Sequence, residues 1–319
     1  MQETQLATTQ LGTTGMEITR LGFGAWAVGG GGWEAGWGPQ EDDDSIAAIE
    51  RALELGFNWI DTAAAYGFGR SERVVGQALQ GVSDRPYVFT KCSLLEGPGR
   101  RIEHSLKRDS ILREAEASLE RLGIDAIDLY QIHWPIPEVD IEEGWWALAE
   151  LKEDGLVRHI GVSNFDAEQL RQIKQIAPVE TLQPQYSLIV PDAEDDVLPY
   201  CESNGIGVIV YSPMGSGLLT GKMTRGRIAD LPDDDWRKGD QRFNEPELSQ
   251  HLATVERIES VAERYDTTPG AVAVAWTLRN PAVDGAIVGF RRPDQVDPIA
   301  DAAGLELTDD DVAEIEGRQ

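Results

Sequence analysis

The chain has 319 residues, 41% of them hydrophobic, which supports a buried core and excludes a disordered chain. Its 56 Asp and Glu outweigh 28 Lys and Arg, giving a formal net charge of −28, so neither nucleic acid nor an anionic membrane is an expected partner. Two cysteines, Cys92 and Cys201, are too few for a disulfide framework.

No apolar run reaches membrane length, and residues 1–10 are polar, without the basic start and apolar core of a secretory signal. A cytoplasmic protein is the expectation. Only six of the 28 cations are lysine. An acidic, lysine-poor surface suits a protein kept soluble in concentrated salt, and the size of the excess favours that halophilic reading over an ordinary acidic protein.

Taken in order, residues 8–20 predict a small β-hairpin around Gly12 to Gly15. A strand over 21–26 follows. Gly22, Gly24 and Ala27 match G-x-G-x-x-A, but a glycine-rich loop follows instead of a helix, so the dinucleotide fingerprint is rejected. Helices are then predicted over 42–55, 71–80, 108–122, 141–153, 166–175 and 194–204, and across 249–279. They alternate with short apolar strands starting near 59, 87, 127, 157, 181, 207 and 285. A final helix over 305–316 is capped at Thr308. Counting the strand at 21, there are eight strands, seven of them reached through a helix. That predicts α/β class, a closed (β/α)8 TIM barrel with an N-terminal hairpin and long loops at the C-terminal face. Nothing marks a linker, so residues 1–319 read as one domain.

Barrels place chemistry at strand C-termini. There the sequence offers Asp61, then Tyr66 on the following loop, Lys91 and His133. A buried aspartate needs a cation, and Lys91 is the candidate. Together the four residues suit proton transfer to a carbonyl oxygen. Tyr66 would be the general acid, its ionised form made accessible by the Lys91 ammonium. Asp61 would hold Lys91 in place, and His133 would donate to the oxygen.

Asp61-Thr-Ala-x-x-Tyr66-Gly, Lys91 and His133 in this order resemble the aldo-keto reductases, over nearly the whole chain. Gly161-Val-Ser-Asn164-Phe, Gln183-Pro-Gln185-Tyr-Ser, Tyr211-Ser-Pro-Met-Gly215 and Ile287-Val-Gly289-Phe-Arg291 are similar to further motifs of that family, in its bacterial branch. The resemblance implies a metal-free, NAD(P)H-dependent reductase of aldehydes, ketones or sugar-derived carbonyls, a monomer or weak homo-oligomer. It implies that Tyr211 stacks under nicotinamide and that Ser163, Asn164 and Gln185 bond its carboxamide. Ser212, Met214, Gly215 and Leu218 would follow the pyrophosphate. Gly289, Phe290, Arg291 and Gln295 would cradle the adenosine end, where Ile299 replaces an asparagine of the family. Arg291, with Arg292, would pair a 2′-phosphate, favouring NADP(H) over NAD(H). The family also contains nucleotide-sensing subunits of little activity, and that alternative stays open.

Trp26 and Trp134 are the candidates for an aromatic substrate pocket; Trp33 and Trp37 are as readily packing residues. His104, His159 and His251 belong to no constellation. Cys92 reads as a buried small residue. The runs 233–235 and 309–311 read as solvated aspartates rather than metal sites.

Overall fold

A computed structural model of the chain describes residues 6–318; residues 1–5, part of the polar N-terminal stretch, and Gln319 lie outside the described residues. The hairpin pairs β1 (Thr8–Gln10) with β2 (Glu17–Thr19). After β3 (Leu21–Gly24) come α1 (Asp42–Glu54), β4 (Trp59–Asp61), α2 (Arg70–Ala78) and β5 (Tyr87–Cys92). A second hairpin, β6 (Leu94–Glu96) with β7 (Ile102–His104), precedes α3 (Arg108–Leu122) and β8 (Ile127–Ile132). The alternation continues through α4 (Ile141–Glu153), β9 (Val157–Ser163), α5 (Ala167–Ile173), β10 (Thr181–Gln183), α6 (Val197–Asn204) and β11 (Gly207–Tyr211). The short α7 (Arg225–Ala229) lies in the long segment before α8 (Glu247–Arg264), α9 (Pro269–Leu278) and β12 (Gly285–Gly289). Two C-terminal helices, α10 (Asp297–Ala300) and α11 (Asp309–Glu316), complete the described chain.

Eight strands close in the order β10-β11-β12-β3-β4-β5-β8-β9, every pair parallel. This is the (β/α)8 barrel that the alternation predicts. Parallel strands need crossovers, and the helices between them cover the outer face with Ile, Val, Leu and Ala. The N-terminal hairpin plugs the bottom: Leu11, Met16 and Ile18 pack beneath Trp59, Phe89, Leu129 and Ile209. Trp59 fills the barrel floor and donates from Nε1 to the Thr19 carbonyl at 2.8 Å. Room for its ring depends on Gly22, where an added Cβ would lie 2.2 Å from the indole. With the floor packed, the barrel interior opens at its C-terminal rim.

Several boundaries differ from the sequence-based expectation. β3 ends at Gly24 and not at Trp26; the three-residue 3-10 turn Ala27–Gly29 and the loop after it agree with the rejection of the G-x-G-x-x-A match. β10 stops at Gln183 because Pro184 has no N–H for the ladder. The β6–β7 hairpin lies in a stretch where the sequence reading places no element. The aspartate runs are not wholly solvated. Asp235 is buried and grips Arg237 through both oxygens, at 2.9 and 2.6 Å. Asp311 is buried between Thr308, Tyr265 and Arg264, which hold its carboxyl well below the usual range against the cost of burial.

Candidate active site

The parallel register of β4, β5 and β8 delivers three groups side by side at the rim. Lys91 is fully buried and donates from Nζ to Oδ1 of Asp61 at 2.5 Å, to the Thr62 carbonyl at 2.9 Å and to Oη of Tyr66 at 3.4 Å. Tyr66 reaches this point because the loop after β4 coils tightly, with its N–H donating to the Ala63 carbonyl at 3.1 Å. Gly29 permits that approach, since a Cβ there would meet the Tyr66 carbonyl carbon at 2.7 Å. His133 is anchored by its own N–H on the Cys92 carbonyl, and its ring stands edge-on to Tyr66, centroids 5.6 Å apart. The four residues singled out in the sequence thus converge.

Burial pushes the Asp61 carboxyl up and the Lys91 ammonium down, while each favours the charged form of the other. Gln183 adds a bond from Nε2 to Oδ2 of Asp61 at 2.8 Å, so both carboxylate oxygens are held. That geometry supports an ionised pair. Tyr66 behaves differently from the expectation that a nearby ammonium would ease its ionisation. Burial, then the negative charge of Asp61, push its phenol well above the ordinary value. Lys91 is committed mainly to Asp61, so Tyr66 rests as a neutral proton donor. Burial and then the Lys91 charge drive His133 well below its ordinary value, leaving a neutral imidazole. Its Nδ1 is buried without a partner. An unpaired lone pair costs less there than an unpaired N–H, so the proton belongs on Nε2.

Asp61, Tyr66 and His133 open onto a cleft of about 560 Å³ that runs across the rim. Lys91 lies behind them. Ser163, Asn164, Tyr211, Ser212, Met214, Gly289, Phe290, Arg291 and Gln295 all line this cleft. Tyr211 is fixed by a bond from its hydroxyl to Oδ1 of Asn164 at 2.9 Å, and Asn164 donates to the His133 carbonyl at 3.0 Å. Four expected residues do not line it. Gln185 lies past the end of β10, where its backbone bridges Tyr211; Gln183, still on the strand, faces the cleft instead. Leu218 is buried in a satellite core with Met223, Ile228, Phe243 and Leu248. Gly215 packs on Ile189, 2.7 Å from where its Cβ would be. Arg292 is exposed and bonds Asp294 at 3.1 Å.

Sequence reasoning missed Lys222, Arg227, Trp236 and Arg237, all on the cleft. They lie in the irregular segment 213–248, where no period reveals a face; cations in an acidic chain were the only available signal. This segment is tied to the glycine-rich loop across the cleft. Trp37 and Asp235 form an antiparallel bridge, and the Trp236 N–H donates to the Gly36 carbonyl at 3.2 Å. The Arg237 guanidinium lies 4.4 Å above the Trp37 ring. Trp26 stacks on Trp236 at 5.3 Å and on Tyr66 at 6.2 Å, making an aromatic wall beside the phenol. Trp134, half exposed, Leu94 and Ile102 line the same mouth. Trp33 also reaches the cleft, though it is buried and donates to the Gly30 carbonyl.

The chain is similar to known proteins along nearly its whole length. The profile of the Aldo/keto reductase family matches residues 20–318. Aldo-keto reductase YhdN of Bacillus subtilis (strain 168) is 39% identical over 310 residues, 96% of this chain and 92% of that protein. The NADH-specific methylglyoxal reductase of Escherichia coli (strain K12) is 36% identical over 315 residues, 94% of each. Among solved structures, the glycerol dehydrogenase AKR11B4 from Gluconobacter oxydans superposes with a TM-score of 0.88 at 36% identity, over 100% of this chain and 95% of that one.

Proposed function

Because the chain belongs to the aldo/keto reductase family, we propose that it is an NADPH-dependent oxidoreductase that reduces aldehyde or ketone carbonyls, with Tyr66 as general acid. The observation that carries this reading is the buried Lys91–Asp61 pair set 3.4 Å behind the Tyr66 hydroxyl, with neutral His133 at its side. Residues 1–319 work in this reading as one barrel domain.

The cleft fits a dinucleotide. Tyr211 offers a fixed ring face, and Ser163, Asn164 and Gln183 offer amide and hydroxyl groups around it. Lys222, Arg227 and Arg291 supply positive charge along a cleft in a chain of net charge −28. Two buried indole N–H groups, on Trp37 and Trp236, have no acceptor among the described residues. These are the residues that would hold the nucleotide. When bound, nicotinamide supplies the hydride.

The chain's own groups then handle the oxygen. As negative charge grows there, Tyr66 gives up its phenolic proton and His133 donates from Nε2. Lys91 stabilises the tyrosinate left behind, and Asp61 keeps Lys91 charged. The wall of Trp26, Trp134 and Trp236 excludes water and offers apolar contact to the rest of the substrate. That wall supports aromatic or otherwise apolar carbonyl compounds as substrates, although relatives carry names for methylglyoxal and glycerol. The negative surface supports a salt-rich cytoplasm as the working medium, and a stability maximum in low salt would count against that.

The test is oxidation of NADPH in the presence of 4-nitrobenzaldehyde, with NADPH binding followed by fluorescence. Turnover that collapses in Tyr66→Phe while binding persists is the expected result. Binding without turnover in the parent protein would instead support a nucleotide-sensing subunit.

A further inference from the structure

We propose that Glu114, on α3 outside the barrel, is a positioning residue for His133: it fixes the Cys92–Ser93 peptide unit that anchors the His133 backbone. The inference rests on the reading of His133 as the donor to the substrate oxygen.

His133 follows the last rung between β5 and β8, where Cys92 pairs with Ile132. Its ring receives no polar guidance, because Nδ1 is buried without a partner among the described residues. The ring is therefore aimed by the backbone that carries it and by its edge-on packing against Tyr66. Two bonds hold that backbone. The His133 N–H donates to the Cys92 carbonyl at 3.1 Å, and the His133 carbonyl accepts from Nδ2 of Asn164 at 3.0 Å. The Cys92 carbonyl and the Ser93 N–H belong to one planar peptide unit. That N–H donates to Oε2 of Glu114 at 2.9 Å. A single rigid unit thus joins Glu114 to His133.

The unit needs this outside hold. Ser93 has φ +80°, in the left-handed region that a residue with a Cβ enters only at a cost. It is fully buried, so water cannot replace Glu114 as the acceptor for its N–H. Beyond it, the Ser93 carbonyl accepts from the Ser105 N–H at 3.0 Å, and its hydroxyl lies a long 3.4 Å from the Trp134 N–H. Glu114 is itself steadied by the Ser110 hydroxyl, which donates to Oε1 at 3.1 Å. Burial pushes its carboxyl up to about 7, a cost that leucine on this face of α3 would not incur. A proton taken up on Oε1 leaves Oε2 able to accept from Ser93, so the hold persists across neutral pH. Glu114 does not line the cleft, so its effect on the chemistry must pass through the peptide unit. Without it the Ser93 N–H is left unpaired, the unit turns to find another acceptor, and its carbonyl is drawn away from His133.

The experiment measures kcat and KM for NADPH-dependent reduction of 4-nitrobenzaldehyde in the parent protein, Glu114→Met, Glu114→Gln, His133→Ala and the Glu114→Met/His133→Ala pair. Glu114→Met should lower kcat by about tenfold or more, the scale of a small misplacement of a catalytic group. Its KM for NADPH should change less than about twofold, since Glu114 does not face the cleft. Glu114→Gln keeps an oxygen for the Ser93 N–H and should stay within about threefold of the parent. In the His133→Ala background, Glu114→Met should lower the remaining kcat by less than about twofold, because no ring is left to aim. A parent-like kcat in Glu114→Met, an equal loss in Glu114→Gln, or the full loss repeated in the His133→Ala background overturns the assignment. Urea unfolding curves identify a variant that does not fold, and Glu114→Ala then takes the place of the methionine variant. If His133→Ala turns over like the parent, the reading of His133 fails and this inference with it. If His133→Ala is impaired while Glu114→Met is not, the role of Glu114 alone is wrong.

Discussion

Arg291 and Gln40 hold each other beside the cleft. Arg291 donates from Nε to Oε1 of Gln40 at 2.7 Å, and Nε2 of Gln40 returns a bond to the Arg291 carbonyl at 2.8 Å. A further bond runs from Arg291 to the Pro39 carbonyl. Most of the guanidinium is thus committed to the loop that follows Gly38.

This changes the basis of cofactor choice. Lys222 and Arg227 line the same cleft and enter no ion pair among the described residues; a long bond joins Nη1 of Arg227 to the Lys222 carbonyl at 3.5 Å. Arg227→Ala combined with Arg291→Ala should lower the preference for NADPH over NADH by about tenfold or more, the scale of one charge-assisted phosphate contact. The check is kcat/KM for both cofactors with one aldehyde. An unchanged ratio would show that neither arginine reads the 2′-phosphate.

Lys91→Met removes the cation bonded to the buried Asp61 carboxylate. Carbonyl reduction should fall by about 10²–10⁴-fold, the usual contribution of positioned acid–base groups. Stability should fall too, by about 3–5 kcal/mol, because one charge is left buried alone. Combining it with Asp61→Asn should recover part of that stability and none of the activity. Urea unfolding of the two variants provides the comparison.

The protonation states in the resting site predict the pH profile of reduction. Tyr66 is raised well above its ordinary value and stays protonated through neutral pH. His133 is lowered well below its own and is already neutral there. Reduction should therefore be level across the neutral range, with no limb near the ordinary histidine value, and decline only at high pH as the phenol ionises. A profile of kcat/KM against pH settles this, and a histidine-like limb lost in His133→Asn would contradict it.

Glu114 offers a separate prediction about stability. Burial raises its carboxyl to about 7, although Ser110 and the Ser93 N–H, at 3.1 and 2.9 Å, favour the charged form. A carboxyl that binds its proton more tightly in the fold stabilises the protein below its unfolded value near 4.5. That contribution is lost as pH rises through about 7. Stability should decline over this window by on the order of 1–3 kcal/mol, and Glu114→Gln should remove that part of the slope. Unfolding midpoints between about pH 5 and 8 would reveal it.

Much of the barrel could be read from the chain because it is local. Ile46, Ile49, Leu53 and their counterparts repeat at helical spacing, and runs such as Gly207–Tyr211 are short and apolar. Such alternation admits few architectures, since parallel strands must be crossed over and buried on both faces. Asp61, Tyr66, Lys91 and His133 were legible for a related reason: polar groups ending buried strands are costly unless they meet. What remained hidden depended on contacts between distant segments. The bond from Gln183 to Asp61 spans 122 residues and that from Arg291 to Gln40 spans 251. Neither Gln183 nor Gln185 carries a local sign of which one turns inward; the end of β10 at Pro184 decides it. Trp236 and Arg237 gain their places from a bridge between two irregular loops, where no period exists to read. The sequence by itself determined the barrel and the four polar groups that meet at its rim, because periodicity and the cost of burying charge act along the chain. Only the tertiary structure decided which residues brace those groups and line the cleft, because those contacts arise when the barrel closes.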